Sequence, residues 1–337
     1  MLRNRTWPGL ALVFIMLAVM LTACGGGDGG KGAANSPSPA ASPSQTPSAS
    51  PDTAAVRSYT DALGRTVDIP ANPQRIVTTQ YLPELLAVGV KPIGAVTHLL
   101  TSFASVKDQI AGIEDLGAIN EMNLEKTLEL QPDLIIATES SDIDMLDKLG
   151  KIAPTVVVKW DGRDPFQHFR DVADIVGKND AAEAWTQAYE KKAEDARAKL
   201  ASYVKPGETF GVVVIGGYEK GQLRVYGPGN VGYTLFDTLK FPMTDAVKTE
   251  WGKGNNQLGL KISLEKLPEF ASADRLFLVK FDNDPDFVTQ VENSSLWKDL
   301  PAVKNGKVYT VDDNIWFSYD VMSFNAQLDD AIRLLGS

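Results

Sequence analysis

Residues 123–137 read NLEKTLELQPDLIIA, and residues 263–279 read SLEKLPEFASADRLFLV. In both stretches a small polar residue, Asn123 or Ser263, precedes Leu-Glu-Lys, and a second glutamate follows four positions after the first (Glu125 and Glu129; Glu265 and Glu269). Each then passes through an aspartate, Asp133 or Asp274, into an apolar run. A small polar N-cap, an acidic first turn and a following β-branched run spell a helix that feeds a strand. The spacing predicts two equivalent helix–strand units in two equivalent halves of the chain. Pro268 predicts that the second helix is shorter or bent, because proline cannot donate to a helical ladder.

The same strand signature recurs on both sides of a central helical region. In the first half it appears at Arg75-IVTT, Lys91-PIGAV, Asp133-LIIA and Thr155-VVVKW, and in the second at Phe210-GVVVIGG, Leu223-RVYG, Arg275-LFLVK and Lys307-VYTVD. Continuous rather than alternating apolar runs predict strands covered on both faces, hence α/β layers with parallel-rich sheets. Between the halves, residues 165–203 carry helical patterning that Gly177-Lys178-Asn179 splits in two. Trp185, Ala188, Tyr189, Lys192, Ala196, Leu200 and Tyr203 step at three- and four-residue intervals, predicting one long helix from about Asp180. At 1.5 Å per residue it spans roughly 36 Å, enough to join two Rossmann-like lobes as a spine. The expected layout is an N-lobe over 56–165, a spine region over 166–203 and a C-lobe over 204–337.

The residues before position 56 read differently. Arg3 and Arg5 precede an apolar stretch that ends Leu21-Thr22-Ala23-Cys24. A basic start, a short apolar stretch and small residues before a cut describe an export signal over 1–23 rather than a membrane span. Cys24 is the chain's one cysteine, so no internal disulfide can form. The pattern resembles the lipobox of bacterial lipoproteins, which implies lipidation of Cys24. The Gly/Ser/Pro-rich segment that completes 24–55 cannot bury enough surface to fold, and it reads as a tether with a span of roughly 30 Å. The expected location is the outer face of the cytoplasmic membrane, on a Gram-positive cell surface, with a periplasmic face as the alternative. With 33 basic against 43 acidic residues and no basic cluster, the chain carries no nucleic-acid footprint.

Several longer phrases carry a family resemblance. YTDALGRTVDIPANPQRIV (59–77), YLPELLAVGVKPIGAV (81–96), LGKIAPTVVV (149–158) and SLWKDLPAVKNGKVYTVD (295–312), together with the NLE/SLE pair, resemble the iron–siderophore and cobalamin class of substrate-binding proteins of ABC importers. The likeness covers essentially all of 56–337. It implies a helical-backbone binding-protein fold, a monomer without a built-in cofactor or directly ligated metal, and a ferric siderophore as ligand. It also implies that Glu125 and Glu265 engage arginines of the permease, whose ATPase supplies the energy. Taken without the resemblance, a first-turn glutamate is also what any helix start carries, for its favourable interaction with the unpaired amides.

Open α/β sheets bind ligands beyond the carboxyl ends of their strands. In the N-lobe that rule selects Tyr81, His98, Ser140, Trp160 and Arg163. In the C-lobe it selects Tyr218, Arg224, Tyr226, Tyr233, Trp251, Lys280, Trp316 and Tyr319. Aromatic walls with few cations suit a bulky, weakly charged complex. The segments KIAPTVVVKW (151–160) and LRVYGPGNVGYTLF (223–236) most resemble the ferric hydroxamate branch. Tyr226 is similar to a ligand-contacting tyrosine of that branch, but the tryptophan and arginine that follow it there are missing before Tyr233. The expected ligand is a hydroxamate or mixed hydroxamate–citrate complex, with a catecholate, ferric citrate, haem or cobalamin as alternatives of the same class. A bare-metal receptor is disfavoured by the presence of only two histidines, His98 and His168. An enzyme acting on a siderophore is disfavoured by the lack of a Gly-x-Ser-x-Gly elbow or a complete phosphate loop. A passive adhesive lipoprotein is the remaining reading.

Overall fold

The periodicity of burial along the strands explains how the two halves are held together. The computed structural model describes residues 55–160, 164–254 and 258–336, all within one compact unit. In chain order the first half holds a hairpin of β1 (Val56–Thr60) and β2 (Thr66–Pro70), then β3 (Ile76–Thr78), β4 (Gly94–Ala95) and β5 (Glu114–Asp115). A second small hairpin of β6 (Gly117–Ala118) and β7 (Glu121–Met122) precedes β8 (Leu134–Thr138) and β9 (Thr155–Val158). The second half holds β10 (Phe210–Ile215), β11 (Leu223–Tyr226), β12 (Leu260–Ile262), β13 (Arg275–Lys280) and β14 (Val308–Val311).

The first sheet has the order β5-β4-β3-β8-β9 and is parallel throughout. The second has the order β12-β11-β10-β13-β14. Its β10, β13 and β14 are parallel, whereas β11 runs antiparallel to both of its neighbours. The reversal follows from chain length: only seven residues separate β10 from β11, far too few for a parallel crossover.

Successive strand residues point to opposite faces. On β8, Leu134 and Ile136 enter a central core while Ile135 enters an outer one; on β10, Val212 and Val214 face the centre while Val213 and Ile215 face away. The central core is continuous from one sheet to the other. It runs from Ile76, Leu134 and Val156 through the helices to Val212 and Phe277.

The helical region breaks at 176–178, giving helices Pro165–Ile175 and Asn179–Leu200. The second helix has 22 residues, about 33 Å in length. Its buried stripe is Ala182, Tyr189, Ala193, Ala196 and Leu200, with Trp185 and Lys192 half-buried beside it. Ala188 and Tyr203, expected on that stripe, are exposed: Ala188 falls on the solvent side of the turn, and the helix ends before Tyr203. Trp185 and Tyr189 stack at 5.6 Å and pack on Phe166 and Phe169 of the preceding helix.

A second connection between the halves was not apparent in the sequence. Helix Val321–Leu335, which follows the second sheet, packs on helix Leu82–Ala87 and on the turn Ala104–Gln109 of the first half. Ser323 Oγ lies 2.9 Å from Ser105 Oγ, and Met322 packs into the outer core of the first sheet. Lys192 of the long helix donates to Asn325 Oδ1 at 2.9 Å and pairs with Asp329 at 2.7 Å. No helix among the described residues is long and apolar enough to cross a membrane.

Candidate ligand-binding cleft

Six strands deliver their following residues into one cavity of about 750 Å³. Gln80 and Tyr81 follow β3, His98 follows β4 and Trp160 follows β9; Tyr218, Phe281 and Asp313 follow β10, β13 and β14. The cavity therefore lies beyond the carboxyl ends of both sheets, between the halves, and its size falls in the range of small-molecule sites.

Aromatic rings make the walls. Tyr81 occupies the N-cap of helix Leu82–Ala87 with φ 64° and ψ 25°, a left-handed conformation that non-glycine residues rarely adopt. Its hydroxyl donates to the Val158 carbonyl at 3.0 Å, and that anchor helps hold the strained backbone. Trp160 stacks on His168 at 4.8 Å and meets Tyr319 edge-on at 6.2 Å, so the two halves touch through rings at the back of the cleft. The Trp160 amide donates to Glu139 Oε2, which fixes the loop that presents the indole.

On the opposite wall Phe317 packs against Tyr218 at 5.3 Å and Phe281 at 4.8 Å. Gly216 and Gly217, at φ +83° and +97°, make the strand-end turn that brings Tyr218 round. Gly227 lets the Trp251 indole lie on the backbone; a Cβ there would come within 2.7 Å of the ring.

The floor is acidic. Glu84, from helix Leu82–Ala87, and Asp320, the N-cap of helix Val321–Leu335, are each 2 % exposed. Asp320 Oδ1 accepts the Ser323 amide at 2.8 Å. Burial, and then the neighbouring Asp320 charge, pushes the Glu84 carboxyl up to about 8, while burial raises Asp320 to about 6. At neutral pH Glu84 holds its proton and Asp320 is ionised. His98, at the mouth, is drawn below its ordinary value by partial burial of the ring.

The residues selected from the sequence separate into two groups. Tyr81, His98, Trp160, Tyr218, Trp251 and Tyr319 line the cavity. The others do not. Trp316 is wholly buried, its indole 4.9 Å from Phe277 and its Nε1 donating to Asp330, because its short helix turns inward beneath β13. Tyr226 is also wholly buried and donates to the Leu258 carbonyl. Arg224 sits behind the wall, its guanidinium 5.2 Å from the Tyr218 ring centre and bonded to Gln222 and Leu258. Both side chains belong to the antiparallel β11, on which the carboxyl-edge rule no longer selects cleft residues.

Tyr233 packs behind Tyr319, stacking on Phe324 at 4.4 Å, and lines a separate cavity beside the long helix. Lys280 is paired with Glu292 at 3.1 Å, and Ser140 is exposed outside the cavity. Arg163 and Cys24 lie outside the described residues.

Sequence reasoning missed Glu84, Asp320, Phe281 and Phe317. Glu84 did leave a signal: it is the lone carboxylate in Leu82-Pro83-Glu84-Leu85-Leu86, a helical turn otherwise made to be buried.

Both echoed glutamates are exposed at the same edge as the cleft. Asn123 caps helix Leu124–Glu129 by accepting the Lys126 amide at 2.9 Å. Its own amide bonds to Leu116, whose amide in turn reaches Ala95 at the end of β4. In the other half Ser263 follows Ile262, which pairs through Leu223 with Ile215 at the end of β10. Ser263 does not cap as expected. The segment begins as a 3-10 turn (Leu264–Lys266) before the short helix Leu267–Phe270 that holds Pro268. The Ser263 hydroxyl instead bonds the Glu265 carboxylate and lowers its pKa.

This architecture is matched by known proteins. The periplasmic binding protein family model fits residues 76–315, and the chain belongs to that family. It is 31% identical over 325 residues to the iron(3+)-hydroxamate-binding protein YxeB of Bacillus subtilis, covering 94% of this chain and 92% of the relative. Among solved structures it is similar to a FhuD fold-family periplasmic binding protein component of a Fep/Fec-like ferrichrome ABC transporter from Bacillus subtilis. That match has 31% identity and a TM-score of 0.72, with 83% of this chain and 100% of that one covered. It is also similar to Staphylococcus aureus SirA complexed with staphyloferrin B, at 27% identity and a TM-score of 0.69, over 83% and 98% of the two chains. The chain is thus a substrate-binding protein and not an enzyme.

The acidic floor makes stability depend on pH. Both carboxyls are raised above their unfolded values, so the native state binds more protons than the unfolded chain and stability is lost as pH rises. Glu84 accounts for the part between about pH 4.5 and 8, of the order of 1 kcal/mol per pH unit. Urea denaturation at pH 5, 6.5 and 8 should show the wild type losing more stability than Glu84→Gln across that window. Parallel curves would remove the assignment.

Proposed function

We propose that this protein captures a ferric siderophore outside the cytoplasmic membrane, a hydroxamate or mixed hydroxamate–citrate complex being favoured, and delivers it to an ABC permease. The observation that carries the reading is the aromatic cleft of about 750 Å³ between two facing carboxyl edges. Among the described residues no group of three or more His, Cys, Asp or Glu is placed to hold a metal ion. Iron that arrives already wrapped by its chelator needs no protein ligands; it needs apolar faces of matching size. The names of the relatives, which specify iron(3+)-hydroxamate and ferrichrome transport, support the same ligand class.

Tyr81, Trp160, Tyr218, Trp251 and Tyr319 are the proposed contacts, joined by Phe281 and Phe317, with His98 at the mouth. Titration of the protein with a panel of ferric siderophores, followed by quenching of tryptophan fluorescence, tests this. Saturable quenching by a ferric hydroxamate is expected, with Trp160→Ala weakening it by about tenfold. Silence across the panel would reject the reading.

Glu125 and Glu265 are proposed to orient the loaded protein on paired arginines of the permease. Exposed carboxylates on two rigid halves offer bidentate hydrogen bonds at two fixed points, and they steer the complex more than they tighten it. Cys24 is proposed as the lipidated N-terminus after removal of 1–23, with 25–55 as the tether of a monomeric receptor. In a strain that depends on this protein, reversing both charges (Glu125→Arg with Glu265→Arg) should leave ligand affinity intact and abolish iron uptake. Cys24→Ala should move the protein from the membrane to the soluble fraction. Normal uptake by the double reversal, or an unchanged membrane fraction, would count against the respective role.

A further inference from the structure

We infer that the cleft selects its ferric complexes by charge, favouring those that bear a pendant ammonium group over neutral ones and rejecting anionic ones, with Asp320 and Asp313 as the determinants. The inference rests on the siderophore reading above and separates the two ligand classes left together there.

Among the described residues that line the cavity, three carry carboxyls, Glu84, Asp313 and Asp320, and none is a lysine or arginine. Of the cations that the sequence placed nearby, Arg224 is held behind the wall by Gln222 and Lys280 is paired with Glu292, while Arg163 lies outside the described residues. Asp320 is 2 % exposed, and its Oδ2 has no hydrogen-bond partner among the described residues. A buried carboxylate with one oxygen unmet is costly, and a positive charge brought into the cleft beside it would offset part of that cost. Its field is little screened by solvent so deep in the cleft, so it bears on the charge of any bound complex.

Three hydroxamates cancel the charge of Fe³⁺, and an ammonium on the same ligand leaves the complex a cation. Three catecholates, or a chelator with spare carboxylates, leave it an anion. The cleft as built attracts the first and repels the others. It also holds the ring faces on which an aliphatic chain carrying that ammonium can lie.

The test uses three ferric trihydroxamates with one iron core and different ends: a free amine, its N-acetyl amide and its N-succinyl acid. Dissociation constants at pH 7 are read from tryptophan quenching on the full chain. The amine form should bind at least about tenfold more tightly than the acid form, with the amide between them. Asp320→Asn, which keeps an N-cap for its helix, should compress that spread to less than about threefold. Asp313→Asn, at a half-exposed position, should narrow it as well and serves where the buried variant does not fold. Equal constants for the three ligands, tightest binding of the acid, or a spread that survives both substitutions would overturn the inference while leaving the siderophore reading in place. Failure of all three to bind would overturn both.

Discussion

The structure depends on one shared hydrophobic core. Alternate residues of β8 and β10 point inward to it, and the helices between the sheets are packed into it rather than laid over it. Two lobes with separate cores would be free to swing on their connector. Here relative motion has to disturb buried side chains such as Phe169, Ala193 and Phe277, and protein cores are too closely packed to yield freely. The long helix resists bending for the same reason, and it has neither proline nor glycine between Asp180 and Leu200 to provide a kink. A large change in the cleft, or in the spacing of the exposed glutamates, would have to disrupt that packing.

That rigidity gives the acidic floor its meaning. A carboxyl pair buried between moving domains could relax by opening to water. Between halves fixed by a common core it cannot, so the cost of burying the charge is held in the folded state. The strain at Tyr81 is held in the same way: the Val158 carbonyl keeps its hydroxyl in place across the first sheet. Both features lie where the ligand site is proposed, and storing unfavourable interactions at a site is possible only when the surrounding structure over-determines it.

Much of this was legible in the sequence, for identifiable reasons. Continuous apolar runs such as Asp133-LIIA and Phe210-GVVVIGG marked strands buried on both faces, and Gly177-Lys178-Asn179 marked the break before the long helix. The carboxyl-edge rule found Tyr81, His98, Trp160 and Tyr218, each of which follows a parallel strand. It failed on Arg224 and Tyr226 because nothing in Leu223-RVYG tells a parallel strand from an antiparallel one. It failed on Trp316 because a tryptophan beyond a strand can turn into the core as readily as into a cleft. Asp320 was invisible for another reason: an aspartate before a helix is fully explained as a cap, and its second role appears only when Glu84 is brought beside it.

Helix Val321–Leu335 also bears on how the molecule is made. Its first turn completes the floor of the cleft and meets Ser105, a partner 218 residues earlier in the chain. Helix Leu82–Ala87 also packs on helix Pro165–Ile175 and on the turn Ala104–Gln109, but its cover is incomplete until this late segment arrives. Contacts of such long sequence separation are slow to form. A chain emerging through a membrane from its amino end would thus assemble the cleft last, and a truncated product would display an apolar surface where the finished receptor has its floor.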